Sequence, residues 1–121
     1  MAKLVFKNDF MRPEYFVDRD VTSIGRAPEN NLTIPDYLLF QGLPSFIQKE
    51  RYRILVHVSR HHARIVRVEN SYYITDTGND GCGSSHGTFI NDERVVPGIN
   101  VLLKNGDRIS FGLVEAIFHG A

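Results

Sequence analysis

Five polar side chains in three separate stretches of the 121-residue sequence are of the types that bind an anion. They are Arg26, Ser59, Arg60, Ser85 and His86. A phosphate group presents oxygens that accept hydrogen bonds, and a planar guanidinium donates to two of these oxygens together. Serine hydroxyls on loops supply further donors. The residue types therefore suit a phosphate site, provided that the fold brings the three stretches to one edge.

A metal site is a second interpretation, because histidine and cysteine are side chains that zinc prefers. The side chains concerned are His57, His61, His62, His86 and Cys82. Adjacent residues on a strand point to opposite faces, which separates His61 from His62. The single cysteine excludes a Cys-x-x-Cys pair. We therefore expect no metal site, and the lone cysteine also excludes an intrachain disulfide.

Two other functions are disfavoured by the sequence. Ser59 and His62 suggest a hydrolase, but no Gly-x-Ser-x-Gly motif is present, and two residues three apart on a strand face opposite sides. We therefore expect no enzyme. The stretch from Lys49 to Arg67 is locally basic, yet the chain has 14 Lys plus Arg and 14 Asp plus Glu. With no overall basic excess, we expect no nucleic-acid binding.

The elements that must position these side chains are short strands. β-type segments recur between Gly, Asn, Asp and Pro, and alternation is clearest at Ala63–Val68 and Asp107–Phe111. Asn91-Asp92 and Asn105-Gly106 have the residue types of tight hairpin turns. We predict an all-β fold, a β-sandwich of two antiparallel sheets with about eleven short strands. Ser59 and Arg60 are predicted to open one of these strands.

Two stretches interrupt the strand pattern. Residues 37–57 are predicted to form an insertion with a possible short helix within 38–55, capped by Ser45. An extended conformation from Tyr52 onward fits the pattern equally well. Residues 77–85, TGNDGCGSS, are too rich in Gly, Ser, Asp and Asn for a strand. We expect an exposed loop there, of the kind that carries binding residues on a rigid scaffold.

Length and composition indicate one folded domain over residues 1–121. The chain is 42% hydrophobic and 23% charged, which is typical of a globular protein. The first residues lack the apolar region of a signal peptide, and no apolar run is long enough to span a bilayer. We therefore expect a cytoplasmic or otherwise intracellular protein without membrane insertion.

Four fragments, in order, resemble the forkhead-associated (FHA) domain, a phosphothreonine-binding β-sandwich family. That family's pattern runs Gly-Arg, Ser-x-x-His, Ser-x-Asn-Gly-Thr, and Gly-Asp before an apolar strand that ends in Gly. The matching fragments here are Ile24–Arg26, Val58–Ile65, Ser84–Asn91 and Leu103–Gly112. The resemblance covers residues 21–112 and implies the FHA β-sandwich fold.

The resemblance also implies roles for individual residues. Arg26 and Ser59 are expected to contact the phosphate directly. Ser85 is expected to donate to the phosphate or the threonine region, and Arg60 to assist through its side chain or backbone. His86 stands where the family has Asn and is expected to face the peptide backbone.

We also assign expected roles to four further residues. His57 stands where some family members use a basic residue to recognise the third position after the phosphothreonine. Gly25 and Gly87 are expected to serve the backbone conformation. His62 is expected to be a buried residue that bonds neighbouring loops rather than a ligand contact.

The function that follows is non-catalytic recognition of phosphothreonine in a partner protein, a substrate of a Ser/Thr kinase. No cofactor is implied. The alternative is a phospho-independent interaction module that uses the insertion Tyr37–Leu55 and a sheet face while the loop site is degenerate. Phosphate dependence of binding separates the two.

Overall fold

The computed structural model describes residues 1–120, in which eleven strands alternate with loops and two helices interrupt the strand order. The strands are β1 (Lys3–Phe6), β2 (Glu14–Phe16), β3 (Val21–Gly25), β4 (Leu32–Thr33), β5 (Ala63–Val68), β6 (Ser71–Asp76), β7 (Thr88–Ile90), β8 (Glu93–Arg94), β9 (Val101–Leu102), β10 (Arg108–Phe111) and β11 (Val114–His119). The helices are α1 (Tyr37–Gln41) and α2 (Ser45–Leu55). Neither helix is long and apolar enough to cross a membrane.

The strands form two sheets that enclose one hydrophobic core. The six-stranded sheet has the order β2-β1-β11-β10-β7-β8, and the five-stranded sheet has the order β4-β3-β5-β6-β9. Fully buried side chains come from both sheets and include Leu4, Ile24, Ile65, Ile109 and Phe111. Burial on alternate positions of each strand is what a sandwich requires, because one face of each sheet packs on the other. The predicted all-β sandwich is confirmed.

One strand pair departs from the predicted antiparallel arrangement. β3 and β4 pair in parallel, with Ile24 opposite Leu32 and Gly25 opposite Thr33. The connection between them is held against β3 by Asn31, whose side-chain oxygen accepts a hydrogen bond from the Ser23 N–H at 2.9 Å. This bond holds the loop after β3 so that β4 runs alongside β3 in the same direction. The pattern of apolar residues does not predict this parallel pair.

The predicted helix is present and ends at Leu55, but its N-terminal cap differs from the prediction. Pro44, not Ser45, occupies the N-cap position, and no side chain caps the helix. The extended alternative from Tyr52 is wrong, since α2 continues to Leu55. Leu55 is 1% exposed and belongs to the core, and this burial favours continuing the helix to that residue. The last turn of α2 therefore lies against the sandwich, directly before the Ser59 region.

Candidate phosphate-binding site

Arg26 leaves the end of β3 and is bonded to the segment that contains Ser59. Its backbone N–H donates to the Ser59 carbonyl at 3.1 Å, and its side-chain Nε donates to the Val58 carbonyl at 2.5 Å. The Tyr37 hydroxyl donates to the Arg26 carbonyl. The two terminal amino groups of the guanidinium make no hydrogen bond within residues 1–120. Arg26 is thus held by its Nε while the end that can grip a phosphate stays available.

Ser59 and Ser85 meet although they lie far apart in the sequence. The Ser85 backbone N–H donates to Ser59 Oγ at 3.1 Å. Because that oxygen accepts, the hydroxyl hydrogen of Ser59 remains free to donate to a ligand. The prediction that Ser59 and Arg60 open a strand is wrong, since both lie in the loop before β5. A loop allows Ser59 to turn toward the Ser85 segment, which a strand would not.

His62 links the Ser59 loop to the loop before β7 and is fully buried. Its Nδ1 accepts a hydrogen bond from the Ser59 backbone N–H at 3.0 Å, so the proton of the neutral ring sits on Nε2. Nε2–H donates to the Gly87 carbonyl at 2.9 Å. Burial lowers the pKa of His62, and the Gly87 carbonyl and the Asp76 carboxylate oppose this only partly. Since both ring nitrogens bond backbone groups, His62 is not arranged as a base for the Ser59 hydroxyl.

The Arg60 carbonyl brings the β3 exit and the Ser59 loop into close contact. It accepts from the Ala27 N–H at 3.0 Å and from the Asn30 side-chain amide at 2.8 Å. A Cβ at Gly25 would lie 2.2 Å from this carbonyl oxygen, so only glycine fits there. Gly25 is required by this close approach rather than by an unusual φ. Asn30, which the sequence analysis did not single out, is buried and locks the two segments together.

Two more residues that the sequence analysis missed fold the loop over residues 77–87. The buried Asp76 carboxylate accepts from the Ser84 N–H at 2.8 Å and from the Ser84 hydroxyl at 3.1 Å. Ser84 Oγ in turn accepts from the Gly87 N–H at 3.0 Å. Gly87 has φ +89°, and a Cβ there would lie 2.8 Å from Arg94 Nε, so glycine is needed. The signal for Ser84 was available, because it occupies the serine position of the family's Ser-x-Asn-Gly-Thr fragment.

His86 is exposed and lies against His57. The two ring centroids are 4.3 Å apart and the rings are tilted by 60°. His57 Nδ1 lies 3.1 Å from the Arg53 carbonyl and donates to it, because a carbonyl can only accept. The last turn of α2 thereby reaches the loop that carries Ser85. The sequence alone did not show this pairing.

Histidines elsewhere in the chain do not assemble into a metal centre. His57 and His61 are four positions apart, a spacing that brings two imidazoles together on a helix. However, α2 ends at Leu55, and His61 Nε2 instead faces a Glu29 carboxylate oxygen at 3.2 Å. Across residues 1–120, no group of three or more His, Cys, Asp or Glu residues is arranged to hold a metal ion.

The structure therefore brings the three predicted stretches to one edge of the sandwich. Direct hydrogen bonds join Arg26 to the Ser59 segment and Ser59 to Ser85. Arg60 and His86 are exposed in the same loops. The result is an open cationic rim with hydroxyl and guanidinium donors, suited to an anionic group on an extended peptide.

Known proteins share this architecture and a little over a quarter of the aligned residues. The structure of Mycobacterium tuberculosis EmbR in complex with a low-affinity phosphopeptide superposes with a TM-score of 0.68 at 28% identity, covering 99% of this chain and 24% of that chain. The chain is also similar to the oxoglutarate dehydrogenase inhibitor of Corynebacterium diphtheriae, at 28% identity over 86% of this chain and 54% of that protein. It is 27% identical to the glycogen accumulation regulator GarA of Mycobacterium tuberculosis, over 86% of this chain and 48% of that protein.

The family assignment rests on a family model that covers most of the chain. The chain spans about half the length of these two curated relatives. The family model of the FHA domain matches residues 22–112, which contain the Arg26, Ser59, His62 and Ser85 segments described above. This chain belongs to the FHA domain family.

Proposed function

We propose that this FHA domain binds phosphothreonine-containing segments of partner proteins and does so without catalysis. The observation that carries the proposal is the hydrogen bond from the Ser85 N–H to Ser59 Oγ beside the anchored Arg26. The bond from Ser85 restricts the Ser59 hydroxyl, and the bond from Arg26 Nε to the Val58 carbonyl orients the guanidinium, before any ligand arrives. A preorganised site avoids part of the entropy cost of binding.

Charge and hydrogen bonding support a phosphate as the ligand. A phosphothreonine carries about −1.5 to −2 charges at pH 7 and three strong acceptor oxygens. Arg26 and Arg60 supply two cations at the rim, and neither takes part in a salt bridge within residues 1–120. Ser59 and Ser85 supply hydroxyl donors, and His86 supplies a ring nitrogen at the position where the family has Asn. The partner would be the substrate of a Ser/Thr kinase, and we infer an intracellular setting from that requirement.

The proposal is tested by isothermal titration calorimetry against phosphothreonine peptide pools, with unphosphorylated and phosphoserine pools as controls. Wild type is expected to bind the phosphothreonine pools only. Arg26→Ala and Ser59→Ala are expected to bind more weakly, while Arg19→Ala, an exposed arginine in the β2–β3 connection, serves as the matched control and keeps wild-type affinity. Equal binding of phosphorylated and unphosphorylated pools would instead support the phospho-independent module.

A further inference from the structure

The side of α2 that faces away from the sandwich combines cations with large apolar side chains. The members of this outer stripe are Phe46, Lys49, Tyr52 and Arg53, together with Val56 at the C-cap position directly after the helix, and they are spaced by three and four positions. Phe46 is 69% exposed and Tyr52 is 54% exposed. Aromatic side chains exposed to this degree on a helix are not explained by the core of the domain.

The opposite side of α2 holds the helix in place. Arg51 donates to both carboxylate oxygens of Asp9, with an Nη2 contact at 2.9 Å and an Nε contact at 3.0 Å. Leu55 is buried, and Ile54 packs partly buried against the core. The outer stripe is therefore a preformed surface on a fixed helix, not a face that awaits packing within this domain.

The charges of the outer stripe are not neutralised. Lys49 and Arg53 form no salt bridge with any residue between 1 and 120, whereas Arg51 on the inner side is paired. Glu50, the only acidic residue of α2, is exposed beside Lys49 and Arg53 but forms no ion pair within residues 1–120, so this surface keeps a net positive charge. Unpaired cations among aromatic and aliphatic side chains complement a partner segment that alternates carboxylates with apolar residues.

The outer stripe is continuous with the phosphate-binding rim. The Arg53 carbonyl accepts from His57 Nδ1, and the His57 ring lies against the His86 ring. An 11-residue helix is about 16 Å long at 1.5 Å per residue. An extended peptide covers that length with roughly five residues.

We propose that the outer stripe of α2 binds an acidic segment of about five residues with interspersed large apolar residues, located on the same partner chain as the phosphothreonine. The inference rests on the proposed function and adds a second contact to it. The two contacts act together because the phosphate site and the stripe lie along one continuous surface.

The test compares a phosphothreonine peptide selected from the pools, here the core peptide, with extended versions of it. Six residues, Glu-Leu-Glu-Glu-Phe-Leu, are added to the N-terminus or to the C-terminus, and in control peptides lysine replaces each glutamate. Fluorescence anisotropy measures each dissociation constant. The acidic extension at one of the two ends is expected to tighten binding by at least about fivefold, and the lysine version is expected not to.

Protein variants show whether the gain in affinity from the acidic extension depends on the outer stripe. Phe46→Ser and the double variant Lys49→Glu/Arg53→Glu are expected to lose the gain from the extension while keeping the affinity for the core peptide. The double variant Arg19→Glu/Lys104→Glu makes the same change in net charge at exposed residues outside α2 and is expected to keep the gain. Thermal melts verify that each variant is folded.

Each remaining outcome decides the matter. If the core peptide binds but neither acidic extension adds affinity, the proposal that the outer stripe binds an acidic segment is wrong. The proposed function, phosphothreonine binding, then still stands. A gain that survives in the stripe variants, or one that the lysine extension also produces, overturns the stripe as well. Sedimentation that shows a dimer abolished by Lys49→Glu/Arg53→Glu would assign the stripe to a second copy of the chain and overturn the proposal. Failure of the core peptide to bind would overturn the proposed function itself.

Discussion

Replacing His62 with alanine is expected to destabilise the domain far more than it weakens ligand binding by the folded molecule. The imidazole is fully buried, so its removal leaves a cavity that costs about 2 kcal/mol or more. The Ser59 N–H loses its acceptor, which costs about 1 to 3 kcal/mol for a buried donor. The Gly87 carbonyl keeps a second donor, the Gly112 N–H at 3.0 Å, and adds little. The total is about 3 kcal/mol or more, a large part of the stability of a small domain.

Urea unfolding followed by tyrosine fluorescence suits this measurement, because the chain has five tyrosines and no tryptophan. A loss of about 3 kcal/mol corresponds to a fall in Tm of roughly 12 °C for a domain of this size. His61→Ala is the matched control, since its half-exposed ring forms only a surface pair with Glu29 and is expected to change stability by less than about 1 kcal/mol. At low temperature, folded His62→Ala is expected to retain phosphopeptide affinity within about tenfold. A variant that melts like wild type yet loses the peptide would show that His62 is a ligand contact.

Three further outcomes follow from the same structure. Arg26→Ala and Ser59→Ala should each weaken phosphothreonine-peptide binding about tenfold or more in calorimetry, and Arg26→Lys should not restore it, because an ammonium lacks the forked donor geometry. Burial lowers the pKa of His62, so the unfolded chain takes up a proton first as pH falls below about 6.5. The stability that His62 contributes should therefore be full above that pH and drop below it by up to about 1.4 kcal/mol per pH unit. Urea titrations should find the dependence weaker in His62→Ala, in which the carboxylates with a lowered pKa, Asp9 and Asp18, still cost stability at lower pH. Leu55→Ala should lower the free energy of unfolding by about 2 to 4 kcal/mol in the same urea assay, and an unchanged value would show that α2 is not part of the core.

Local sequence patterns were sufficient to predict strands and turns, because the conformation of these residues depends on their immediate neighbours in the chain. The alternation at Ala63–Val68 predicted β5 with the bounds that the structure has, because each side chain's face follows from its position in the strand. Asn91 and Asp92, predicted as turn residues, both have positive φ between β7 and β8, a conformation that asparagine and aspartate tolerate. The family pattern supplied the rest of the site prediction, since it relates Arg26, Ser59 and Ser85 without any knowledge of the path between them.

The sequence by itself thus determined the sandwich, most of its strands and the residue types of the phosphate site. Only the tertiary structure decided how that site is held. Asp76 and Ser84 close the loop after β6 through bonds to Ser84 and Gly87, which its composition alone did not indicate. Asn30 bonds the Arg60 carbonyl of a loop thirty residues away, and no local pattern shows that this loop will be opposite. The same is true of His57, whose ring meets His86 because α2 ends beside a loop some thirty residues later. Hydrogen bonds and ring contacts between distant segments depend on three-dimensional distance, which periodicity and spacing along the chain do not contain.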